Sequence, residues 1–222
     1  MAIATFKDLC IDANDPPTLA RFWGEVLGLE PHSQPEGDAY LTGPTSGHRI
    51  WINKVPEPKT AKHRMHLDVN AASVDEIERL GAAVLDAESF RWTLMTDPEG
   101  GEFCVFVREG EITERLYEIG VDTNGDPHAI AAWWADVLGG RLVDEDDFSY
   151  VADIEGAPFE TIDFARVPEP KTVKNRIHLD VTTDDVKALV AAGATVLREQ
   201  DDEIEWTVMA DPDGNEFCAF TR

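Results

Sequence analysis

The stretch VPEPKTAKHRMHLDV at 55–69 returns as VPEPKTVKNRIHLDV at 167–181, with 12 of 15 positions identical. A second pair follows each copy: MTDPEGGEFCVF at 95–106 and MADPDGNEFCAF at 209–220, matching at 8 of 12. A weaker pair, RFWGEVLG at 21–28 and AWWADVLG at 132–139, precedes them. The three offsets are 112, 114 and 111 residues. Three segments in one order at nearly one spacing mean a duplicated unit of roughly 110 residues, too long for a solenoid repeat and right for a domain. The expected domains are 1–110 and 111–222, with the boundary in the charged REGEIT at 108–113. So short a joint lets the copies pack on each other.

Of the 222 residues 43% are apolar and six are Trp, enough for two cores. The formal net charge is −25, from 19 Lys+Arg against 44 Asp+Glu. Such a surface repels phosphate backbones and anionic membranes, so nucleic acid and membrane are not expected partners. There is no basic-then-apolar leader and no apolar run of membrane-span length, which points to the cytoplasm. Cys10, Cys104 and Cys218 form an odd set, read as reduced thiols.

Residues 5–13 alternate as a strand. Asp15-Pro16 then starts a helix, with Asp15 as N-cap and Pro16 at its first position. Leu19, Phe22, Trp23, Val26 and Leu27 form one apolar stripe, closed by Gly28. The second copy repeats this with Asp126-Pro127, Ile130, Trp133, Trp134, Val137, Leu138 and Gly139, so the tryptophans read as core. Strands follow at 38–43 and 48–55, and at 147–153 and 160–167. VPEPK, with prolines on both sides of a glutamate, is a connector and not a central strand. Lys59 and Lys171 within it have no partner that the sequence suggests. Beyond it come a strand (RMHLDV), a helix at 73–80 and strands near 83–86, 91–96 and 102–107. Each copy is thus two βαβββ modules.

This module order, with the DP-helix-VLG segment and the DPxGxEF ending, resembles the vicinal-oxygen-chelate superfamily, and within it the glyoxalase-like and bleomycin-resistance proteins. The resemblance covers essentially the whole chain, once per copy. It implies an α+β fold in which the two modules of each copy join their sheets into a curved cup. Such cups hold a ligand or a metal, on a scaffold shared by isomerases, lyases, dioxygenases and metal-free binding proteins.

The resemblance also implies three metal-ligand positions. The strand-one position is Asp8, and in copy two Glu118. The imidazole is His66 or His178. The closing carboxylate, seven residues past the Asp of the DPxG turn, falls on Cys104 or Cys218. A thiol thus stands where a carboxylate is usual. Asp, His and Cys together can hold zinc but match the iron-oxygenase triad poorly. Glu102 and Glu216 lie two residues earlier, on the same strand face.

Strand parity places Arg64, His66 and Asp68 on a polar face opposite Met65, Leu67 and Val69. Asp8, Cys10 and Asp12 likewise oppose Leu9 and Ile11. Arg64, Arg176, Glu102 and Glu216 therefore join the candidate cup residues. Asp8, His66 and Cys104 are expected to converge in one cavity, and Glu118, His178 and Cys218 in another.

The leading expectation is a protein that binds a small organic molecule in its cups, without a resident cofactor and with a homodimer open to it. The alternatives are a divalent-metal enzyme (zinc, iron, nickel or manganese) acting as lyase, isomerase or dioxygenase, and a non-catalytic structural or regulatory module. A Cys104–His66 nucleophile is disfavoured, because the thiol sits inside a strand with nothing to lower its pKa.

Overall fold

The structure, a computed structural model, describes residues 2–222. Four βαβββ modules follow one another. The first is β1 (Ala4–Ala13), α1 (Pro16–Leu27), β2 (Glu30–Ser33), β3 (Ala39–Thr42) and β4 (Ile50–Lys54). The second is β5 (Met65–Ala71), α2 (Val74–Arg79), β6 (Ala83–Asp86), β7 (Thr93–Thr96) and β8 (Glu102–Val107). Copy two gives β9 (Leu116–Thr123), α3 (Pro127–Leu138), β10 (Arg141–Asp144), β11 (Phe148–Ala152) and β12 (Thr161–Arg166). It ends with β13 (Ile177–Thr183), α4 (Val186–Ala191), β14 (Thr195–Arg198), β15 (Thr207–Ala210) and β16 (Glu216–Thr221). The fold is α+β, built of two curved, open sheets of eight strands each.

The helix starts form as their sequences dictate. Asp15 accepts a hydrogen bond from the Thr18 amide at 3.3 Å, and Gly28 ends α1 with φ +69. Asp126 caps α3 through the His128 amide. Strands β2 and β10 escape a periodicity reading, because these four-residue edge strands alternate little and bury no side chain fully.

The sheets do not follow the copies. One runs β14-β15-β16-β13-β1-β4-β3-β2 and the other β10-β11-β12-β9-β5-β8-β7-β6. The first module therefore joins the fourth through β1–β13, and the second joins the third through β5–β9, both antiparallel. The expectation that each copy closes its own cup is corrected: each cup takes one module from each copy.

Between the sheets lies one continuous apolar core. Helix α1 covers its own sheet and drives Trp23 against Phe103 of the other, ring centroids 5.1 Å apart. Trp134 of α3 meets Phe217 in the same way at 5.4 Å. Trp23 and Trp134 are buried as expected, while Trp133 is half-buried and donates to the Ala192 carbonyl. Because both apolar faces turn inward, the polar faces carrying His66 and His178 turn outward on opposite sides. Among the described residues, no helix is long and apolar enough to cross a membrane.

In a half-chain β1 and β5 both lose the antiparallel partner that joins the modules. Residues 1–110 expressed alone are expected to run as a dimer that pairs β1 of one molecule with β5 of the other. Sedimentation equilibrium checks this; a stable monomeric half would refute the exchanged pairing.

Candidate functional site

The central pairings bring the site residues together in a combination different from the expected one. Asp8 faces Asp180 across β1–β13, and Glu118 faces Asp68 across β5–β9. Asp8 therefore belongs with His178 and Cys218, and Glu118 with His66 and Cys104. The grouping of Asp8 with His66, and of Glu118 with His178, is wrong because each cup is shared between copies.

In each cup an imidazole, a carboxylate and a thiol cluster. His66, Asp68 and Cys104 have ligand-type atoms within 4.8 Å of one another, as do His178, Asp180 and Cys218. Asp68 and Asp180, two residues past each histidine on the same strand face, are the members that the sequence reading did not place in a site. The repeated R-x-H-x-D pattern carried that signal.

The two floors differ through one pair of positions. His66 lies opposite Gly120, and a β-carbon built on Gly120 would overlap the His66 ring. The glycine lets the imidazole lie over β9, with Nδ1 2.6 Å from Asp68 Oδ1. Burial disfavours charge on His66, but the Asp68 carboxylate outweighs it and raises the pKa well above the usual value. In the other cup Cys10 stands opposite His178 and fills that space. The His178 ring turns instead towards Cys218 and Asp180, and burial lowers its pKa to about 4. Burial also pushes the Cys104 thiol up to about 11 and raises Cys218. Neither thiol is an activated nucleophile.

Aromatic side chains rim both floors. The β1–β13 and β5–β9 pairings each carry a bulge, and the extra residues are Lys7 and Tyr117. Bulges re-aim side chains next to sites. Here Lys7 Nζ lies 4.1 Å from the Phe220 ring centroid, and Tyr117 lies 5.0 Å from Phe106. Trp206 packs on Phe220 at 5.4 Å and Trp92 on Phe106 at 5.5 Å. Across the His178 cup, Tyr40 and Trp51 stand 5.2 Å apart on β3 and β4, with Arg49 over both rings. Phe106 and Phe220 lie in the repeats at 95–106 and 209–220; Trp92 and Trp206 stand three residues before them at the same 114-residue offset, a signal the sequence reading missed.

The remaining candidates serve the scaffold. Glu102 accepts from Lys59 Nζ at 2.8 Å and from the His63 amide at 3.0 Å; Glu216 repeats this with Lys171 and Asn175. The connector lysines thus have partners, and both glutamates tie down a connector and do not line a cup floor. Arg64 donates to the Glu169 carbonyl and Arg176 to the Glu57 carbonyl, so each reaches the other copy's connector. A cavity of about 900 Å³ opens between the connectors. Of the lysines that line it, Lys62 pairs with Asp122 and Lys174 with Asp12 of the opposite copy, while Lys59 and Lys171 hold Glu102 and Glu216 of their own.

The chain belongs to the glyoxalase-like domain family, whose model matches residues 8–106 and again 118–220. Among solved structures it is similar to glyoxalase I from Zea mays, with a TM-score of 0.72 and 14% identity over 97% of this chain and 92% of that one. It is also similar to a putative dioxygenase from Bacillus subtilis, with a TM-score of 0.64 and 15% identity over 99% and 86%. At such identities the likeness is one of fold. No curated protein matches the chain.

The divalent metal that the superfamily implies can be tested against these donors. The usual closing carboxylate is a thiol in both cups, yet Asp68 and Asp180 supply a carboxylate beside it. Imidazole, carboxylate and thiolate together suit zinc. The donor types and their clustering therefore fit a metal, though not through the usual three positions.

The His66 cup also stores protons. Burial, then the charges of Asp68 and Asp163, push Glu118 up to about 8. Burial, then Asp68, push Asp163 up to about 7. In the unfolded chain both carboxyls ionise near pH 4, so between about pH 5 and 8 the folded state holds protons that the unfolded state has lost. This contribution to stability falls as pH rises through that window. Urea unfolding at several pH values should show a shallower decline in Glu118→Gln than in the parent chain; identical slopes would refute the assignment.

Proposed function

We propose that the chain binds a small, flat organic molecule in its cups, stacked on the aromatic rim and donating hydrogen bonds to the acidic floor. The observation that carries this reading is the repeated combination of a half-exposed Trp–Phe pair with an imidazole and buried carboxylates on the polar face of each curved sheet. Aromatic stacking contributes about 0.5–1.5 kcal/mol beyond area burial. Ionised floor carboxylates select ligands rich in N–H or O–H donors, while a protonated Glu118 leaves room for one acceptor. On this reading residues 1–110 and 111–222 are the units of duplication, and each binding unit is a cup drawn from both.

The steps that the floor can support are proton transfers. A protonated Glu118 can donate to a bound heteroatom, and His66, held by Asp68, can take or return a proton at Nε2. A metal held by imidazole, carboxylate and thiolate would add polarisation of a ligand oxygen. The clustering of those three donors favours a metal-assisted lyase or isomerase as the second reading.

A panel of donor-rich aromatic compounds, screened by thermal unfolding and tryptophan quenching, tests the proposal. A ligand at 100 times its Kd stabilises by about 2.7 kcal/mol and gives a clear rise in Tm. Trp92→Ala and Trp206→Ala should each abolish one site. No shift across the panel, or a shift that survives the double variant, would overturn it.

A further inference from the structure

The duplicated cups are not equally ready for a metal. In the His178 cup, Nε2 lies 3.5 Å from Cys218 Sγ and 3.7 Å from Asp180 Oδ1. Zinc–nitrogen and zinc–oxygen bonds near 2.1 Å and zinc–sulfur bonds near 2.3 Å give tetrahedral edges of about 3.4–3.6 Å. The observed separations are close to those edges. Asp8 is held from the other module: its Oδ2 accepts Lys7 Nζ at 2.8 Å and Trp51 Nε1 at 3.2 Å.

The polar atoms of this cup are also left without partners. Asp8 Oδ1, Asp180 Oδ1 and His178 Nδ1 are buried with no hydrogen-bond partner, in residues only 3%, 4% and 7% exposed. Buried polar groups are ordinarily satisfied, so the two orphaned carboxylate oxygens beside the imidazole call for a missing partner, which a cation at Nε2 would supply. The His66 cup contains no such atom among the described residues. There Gly120 lets the imidazole turn, and Nδ1 is spent on Asp68 at 2.6 Å.

We infer that the chain binds one zinc-like divalent cation, in the His178 cup alone, through His178, Asp180 and Cys218, with Asp8 facing Asp180 across the seam. Asp180 supplies the carboxylate that Cys218 displaced from the usual strand position. The His66 cup is closed to the metal by its own histidine–aspartate pair, so a chain with two copies of the motif loads once. This inference concerns metal occupancy and stands apart from the binding of an organic ligand.

Full-length protein, stripped with chelator and dialysed, would be titrated with zinc against a chromophoric competitor and with cobalt by absorbance. The expected result is one equivalent per chain and a near-ultraviolet thiolate-to-cobalt charge-transfer band. Cys218→Ser should abolish the band and Cys104→Ser should keep it. Asp180→Asn should weaken zinc by at least about tenfold, since even outer-shell changes cost that much. Near-ultraviolet circular dichroism of each metal-free variant must match the parent, with His178→Gln standing in for any that does not. Two equal sites, no binding, or a band that follows Cys104 would each overturn the inference.

Discussion

The antiparallel pairings of β1 with β13 and of β5 with β9 are the constraint on which the rest depends. They are the seams where modules from different copies join, and each sheet is continuous only through one of them. Their register decides which side chains meet: Asp8 against Asp180, and Glu118 against Asp68. A slip of one residue would turn every floor carboxyl into the core and every core residue to solvent. The bulge in each seam holds the register and lifts Lys7 or Tyr117 onto the rim. Outside the seams, the Lys59–Glu102 and Lys171–Glu216 pairs and the crossed arginines lock the connectors, so the modules cannot rotate apart.

Much of this was legible in the residues. The repeats gave the duplication, the apolar stripes gave α1 and α3, and parity put Met65, Leu67 and Val69 inside with His66 and Asp68 on the other face. What could not be read was the partner of each seam strand. β5 and β13 carry MHLDV and IHLDV, so β1 finds the same hydrogen-bonding and side-chain pattern in either. Only three-dimensional closure of the two sheets around one core breaks that degeneracy. The misassigned grouping of Asp8 and Glu118 follows directly from it. Glu102 and Glu216 were misread for a different reason: parity gives the face of a strand, but not that a rigid proline-flanked connector brings a lysine down onto its edge.

One pair of positions separates the cups chemically. Glycine at 120 and cysteine at 10 occupy the same place in their strands, opposite the two histidines. The missing side chain lets one imidazole fold over the strand and pair with its own aspartate. The thiol holds the other upright, its Nε2 turned towards Cys218 and Asp180. Two nearly identical motifs thus acquire opposite protonation tendencies, His66 raised and His178 lowered, from a difference in volume that lies on another strand.

The exchange of modules has an evolutionary consequence. In an ordinary tandem duplication one copy can decay while the other keeps working, because each holds a whole site. Here a frameshift or a destabilising substitution in either half removes a wall from both cups. Selection on one binding face therefore polices the entire reading frame, and the copies can specialise only through substitutions inside the cups, as at 10 and 120. The near-identity of the connectors and of β5 with β13, beside the divergence of β1 from β9, is the record expected of a gene whose halves are indispensable to each other.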